Sequence, residues 1–143
     1  MEIPILAPAA VLILWSLLVL FWMVSTRFPA FLKAGMDVFQ ADPGTRYQEV
    51  ESQLPSKVNW VSHNYTHLME QPTLFYGTVA ILALVGQGVG TNVTLAWVYV
   101  GLRIIHSLWQ IFVNTIPVRV GLFMLSSFFL LAMAVNAVRA TLL

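Results

Sequence analysis

Apolar residues run almost unbroken from Ile3 to Val24, with Ser16 the one clearly polar interruption, and give way at Ser25-Thr26-Arg27. A helix rises about 1.5 Å per residue, so roughly 20 such residues cross a hydrocarbon layer about 30 Å thick. The run therefore predicts a first membrane span over residues 3–26. It has no basic stretch before it and no small-residue cleavage site after it, so it reads as a retained span rather than a secretion signal. The pattern then changes. Over residues 28–56, Lys33, Asp37, Asp42, Arg46, Glu49 and Glu51 alternate with Pro29, Gly35, Pro43, Gly44 and Pro55, which predicts one long polar loop. A second span is expected over 57–88, capped by Ser56, polar at first and apolar from Leu68, with a kink near Pro72. The uncharged turn from Gly86 to Asn92 leads into a third span over 92–115, with Thr91 or Asn92 as its cap. Pro117, suited to a first helical turn, opens a fourth over 117–142. The expected fold is all-α: a four-helix integral membrane bundle forming a single domain.

Composition supports this reading. With 59% apolar and 9% charged residues and a mean hydropathy of +0.81, the chain needs lipid as its solvent. A net charge of +1 without a basic patch argues against a nucleic-acid partner. The lack of cysteine removes disulfides, thiolate metal sites and a cysteine nucleophile together. Lys33, Arg46 and Lys57, with Arg27 at the edge, lie in the loop after the first span, Arg119 precedes the fourth, and the turn near Gly88 has no basic residue. By the positive-inside rule that loop is cytoplasmic and both termini lie outside, which in a bacterial inner membrane means the periplasm. Arg139 near the C-terminus counts against this orientation.

The candidate chemistry lies in ionisable residues inside the predicted spans. His63, His67 and Glu70 share one helical face, as do Arg103, His106, Gln110 and Asn114. A charge in hydrocarbon costs several kcal/mol, about 2.5–3.5 on insertion scales, so these stripes should face each other or a wet cavity. Glu70 and Arg103 form the natural ion pair. A structural lock between helices would need fewer polar groups than two whole faces plus Arg119. His63, His67 and Glu70 could offer ligands to a divalent metal, and His67 with His106 could be axial ligands of a haem. Neither is favoured: the first lacks a fixed metalloenzyme signature, and the second lacks the packing glycines a porphyrin demands. Trp97, Tyr99, Trp109 and Phe112 read as lipid-facing or interfacial anchors rather than a cofactor box.

Three segments together carry a family resemblance. They are Asn64-Tyr-Thr-His67-Leu-Met-Glu70-Gln-Pro72-Thr-Leu-Phe75-Tyr76, then Trp97-Val-Tyr-Val-Gly101-Leu-Arg103-Ile-Ile-His106-Ser, then Asn114 and Arg119. In that order they resemble the bacterial branch of the MAPEG family, membrane-associated proteins in eicosanoid and glutathione metabolism. The resemblance implies a homotrimer with glutathione, as cosubstrate, held between neighbouring protomers near the cytoplasmic side. It implies that Glu70 stands at a glutathione-contacting Glu, while His67 and His63 replace an Asn and an Arg of the same set. Arg103 and His106 match an Arg-x-x-His of the prostaglandin E synthase branch, Gln110 replaces the Tyr that follows, and Arg119 falls at the catalytic Arg. Arg27 matches a first-helix Arg that reaches the tripeptide carboxylate. The implied activity is that of a transferase, isomerase or peroxidase acting on a lipophilic small molecule, with Arg119 stabilising the thiolate. The departures at His63, His67 and Gln110 favour an alternative, a catalytically silent accessory subunit of a larger membrane complex. A haem or metal protein on the same bundle is the third reading.

Overall fold

The computed structural model describes residues 3–143, and every regular element among them is helical. Six α-helices follow in order: α1 (Leu6–Lys33), α2 (Tyr47–Val50), α3 (Ser56–Met69), α4 (Gln71–Leu84), α5 (Thr91–Phe112) and α6 (Ile116–Leu142). α1, α5 and α6 are long and apolar enough to cross a membrane. α3 and α4 have 14 residues each, about 21 Å of helix apiece, so neither reaches across hydrocarbon alone. The chain alternates direction, so the loop after α1 and the α5–α6 junction lie at one end and the α4–α5 turn at the other.

α1 outruns its expected end. Ser25 and Thr26 do not stop it, because their hydroxyls donate back to Trp22 O at 2.8 and 3.1 Å, within the helix itself. The helix continues through Pro29 to Lys33. The expected loop over 28–56 is therefore shorter than its composition suggested, and it contains α2 flanked by two short 3-10 turns. The expected span over 57–88 is two helices. Glu70, with φ −83° and ψ −97°, breaks the helix, and Pro72 starts α4 where its missing N–H is not needed. The expected caps at Ser56 and at Thr91 or Asn92 are not made by side chains. Gly90 precedes α5 with φ +56°, and Asn92 instead donates to Gln87 O at 2.9 Å and accepts from Asn136 at 2.8 Å.

The bundle core is apolar, built from Leu12 and Val19 of α1, Leu68 and Phe75 of α3 and α4, Tyr99 of α5 and Met133 of α6. Tyr99 is fully buried and stacks on Phe75 with ring centroids 4.5 Å apart, so it is a core residue and not the interfacial anchor its type suggested. Trp97 and Phe112 do face outward. Hydroxyls and amides pin the helices inside this core. Ser107 Oγ accepts from Trp15 Nε1 at 2.9 Å and from Asn64 Nδ2 at 2.7 Å, which joins α1, α3 and α5. Gln71 donates to Ser127 at 2.7 Å and accepts from Tyr99 OH at 3.2 Å, which joins α4, α5 and α6. The outside is apolar too: Leu14, Phe21, Phe128 and Leu131 are all more than half exposed. A surface of this kind is matched by acyl chains and not by water, and the protein is an integral membrane protein.

Candidate functional site at the α5–α6 junction

The reversal between α5 and α6 assembles the site. α5 stops because Asn114 takes φ +58°, a left-handed conformation that Asn tolerates better than most residues, with its N–H bonded to Trp109 O at 2.8 Å. Asn114 therefore lies beyond the helix and not on its polar face as the spacing predicted. Pro117 restarts the helix at once, and Arg119 folds back over the end of α5, where its Nη1 donates to Asn114 Oδ1 at 2.7 Å. Its Nε is buried without an acceptor.

Arg119 and His67 together stand between two clefts. One, about 360 Å³, is walled by Tyr47, Glu51, Ser62, His63 and Gln110. The other, also about 360 Å³, is walled by His106, Ile116, Val120 and Phe123. The first is polar on nearly every side and the second is mostly apolar. Gln110 is wholly buried, yet neither its Nε2 nor its Oε1 has a partner among the described residues. An unpaired buried amide costs about 1–3 kcal/mol, so its free donor and acceptor are available to a bound molecule. Across the second cleft, His67 and His106 meet edge to face with ring centroids 5.7 Å apart. No group of three His, Asp or Glu residues placed to hold a metal ion forms among the described residues.

The remaining predicted residues are distributed differently. Arg103 is 1% exposed and donates through Nη2 to His67 O at 3.1 Å, at the break between α3 and α4, while its Nε and Nη1 have no protein acceptor. The expected Glu70–Arg103 ion pair is not formed. The backbone break carries Glu70 outward, where its side chain is 60% exposed and 3.5 Å from His67 Nδ1. Glu70 borders neither cleft. Arg27 donates to Ser62 Oγ and lies 3.5 Å above the Tyr47 ring, but it does not itself border the polar cleft. It opens instead on a cavity of about 420 Å³ shared with Phe31, Val38 and Arg46. His63 lies within the polar cleft and contacts the Glu51 carboxylate.

Residues of the loop were missed by the sequence reading. Tyr47 and Glu51 roof the polar cleft from α2 and the 3-10 turn after it. Tyr47 donates to Asn59 Oδ1, and burial pushes its hydroxyl above the ordinary range, so it stays neutral beneath the Arg27 guanidinium. Nothing periodic marks these positions, because the loop's fold and not a helical repeat brings them to the cleft.

A helical membrane bundle with a buried arginine–amide site at a helix junction is the class these observations define. Within that class, the family model of the MAPEG family matches residues 5–139, and the chain belongs to that family. No curated protein and no solved structure matches the chain.

Proposed function

We propose that the protein binds glutathione in the polar cleft and joins its sulfur to a lipophilic electrophile seated in the second cleft. The observation that carries this reading is the shared wall: Arg119 and His67 border both clefts, so a reactant in each would meet at the guanidinium. A thiol with an ordinary pKa near 8.5 is only a few per cent ionised at neutral pH. A guanidinium beside it favours the thiolate, and Arg keeps its charge when partly desolvated. The thiolate forms a C–S bond to the electrophilic carbon, and the displaced electron pair leaves on the departing atom, which takes a proton. A substrate reaching the apolar cleft sideways from the bilayer gives the reaction its reason to be in a membrane.

The same reading makes the protein a homotrimer of four-span protomers, with α3 and α4 together forming the second span. Glu70 lies midway along that pair, with 14 helical residues on either side, and its carboxylate is mostly exposed. His63 and Thr66 are exposed on the same face. A half-exposed carboxylate at mid-span is costly against lipid and requires a neighbouring protomer to cover it. Arg27, Lys33, Arg46, Lys57 and Arg119, five of the seven basic residues, gather at the loop end, which supports a cytoplasmic loop and periplasmic termini in a bacterial inner membrane.

Calorimetry of glutathione against the detergent-solubilised protein tests the reading, with ultraviolet absorbance of the bound thiolate as its second readout. Saturable binding with a thiolate signal at neutral pH is the expected result. No binding leaves an accessory subunit of a membrane complex as the alternative, a reading that Gln110, His63 and His67 support.

A further inference from the structure

Glutathione carries an ammonium group as well as two carboxylates, and the family resemblance makes Glu70 a glutathione-contacting Glu without saying which group it meets. We infer that Glu51, in the cytoplasmic loop, receives the α-ammonium of the γ-glutamyl group, which makes the loop part of the specificity machinery. The inference rests on the glutathione reading above and adds a residue to it.

Charge inventory is the first argument. Among the described residues of one protomer, Glu51 is the one carboxylate bordering either of the clefts that meet at Arg119, since Glu70 faces outward and Asp37 lines the separate cavity beside Arg27. A polar cleft holding the Arg119 guanidinium repels a free cation unless a carboxylate is present. With Glu51 on one wall and Arg119 on another, the cleft presents opposite charges to a zwitterionic amino-acid end.

Geometry is the second. The Glu51 side chain is three-quarters covered, so it is not a freely solvated loop residue. Its backbone is fixed by two bonds to its carbonyl oxygen, from Asn59 Nδ2 at 2.9 Å and from Leu54 N at 3.1 Å. Within the side chain, Oε1 is taken by His63, while Oε2 has no hydrogen bond to any described residue. A carboxylate held on one oxygen and free on the other, facing a cleft, accepts an ammonium N–H in a charge-assisted bond.

The test compares glutathione with N-acetylglutathione, in which the α-amine is acylated and uncharged, by calorimetry on the full-length protein in detergent. Wild type should prefer glutathione by about tenfold or more, the scale of a hydrogen bond between charged groups. E51Q should lose that preference by weakening glutathione alone, with N-acetylglutathione bound as before and an unchanged elution volume. E70Q should keep the preference. Equal wild-type affinity for the two compounds overturns the inference whatever the variants do, as does a preference that survives E51Q. A preference lost in E70Q and kept in E51Q assigns the ammonium to Glu70 instead and overturns the inference. Failure of wild type to bind either compound removes the glutathione reading itself and is recognised by that.

Discussion

The two ends of α5 treat their buried polar side chains in opposite ways. At the α4–α5 end, Asn92 donates to Gln87 O and accepts from Asn136, so the amides there complete one another. At the α5–α6 end, Gln110 and Arg119 keep buried donors or acceptors that no described residue meets. The first arrangement closes a turn and holds α6 against α5. The second costs stability in the isolated protomer and repays it only when something binds, as expected of a site and not of a scaffold. A cavity of about 440 Å³ also lies at the satisfied end, among Asn92, Asn136 and Arg139, but it contains none of the residues that meet at Arg119. Volume alone therefore does not mark the chemistry, and unmet hydrogen bonding does.

The contrast can be broken most decisively at Arg119. Arg119→Leu should lower glutathione conjugation by about 10²–10³-fold, the usual effect of removing one donor aimed at developing charge, while leaving the elution volume unchanged. It should also raise the pKa of bound glutathione, read from thiolate absorbance across pH. Turnover and titration matching wild type would make Arg119 a topology residue that snorkels to headgroups.

At the satisfied end the expected effect is on folding. Asn92→Leu strands the Asn136 amide and the Gln87 carbonyl and should cost about 1–3 kcal/mol, seen as a lower melting temperature with glutathione affinity intact. Adding Asn136→Leu should recover part of the loss. If the single variant weakens ligand binding as well, the two ends are coupled and the contrast is false.

Gln110→Leu should do the reverse. Its amide satisfies nothing in the protein, so stability should hold or rise, while glutathione affinity falls about two- to tenfold, the worth of a neutral hydrogen bond. A melting temperature well below wild type would mean that the amide is bonded within the assembled protein.

The smallest effect is a coupling near zero. Because Glu70 and Arg103 are not paired, the stability losses of Glu70→Gln and Arg103→Leu should add within about 0.5 kcal/mol. A double variant that recovers stability would show that the two residues interact in the protein as it exists in detergent.

What the amino-acid order determined by itself is the solvent and the elements. Long apolar runs leave no alternative to helices in lipid, where every backbone N–H and C=O needs a partner within its own segment. An irregularity near Pro72, though as a kink and not as the break at Glu70, the α4–α5 turn near Gly88 and the α6 start at Pro117 were legible because proline and glycine act locally. The polar faces of α3 and α5 were legible through helical spacing, and they bring His67, His106 and Gln110 to the two clefts as that spacing implies. Only the tertiary structure decided which charges meet. The Glu70 carboxylate is directed outward by one pair of backbone angles, Asn114 leaves its helix through a positive φ, and Glu51 reaches His63 from a loop with no periodicity to announce it. Helical spacing says which side chains share a face. Partners across a break or a loop depend on a few dihedral angles that only the packed bundle sets.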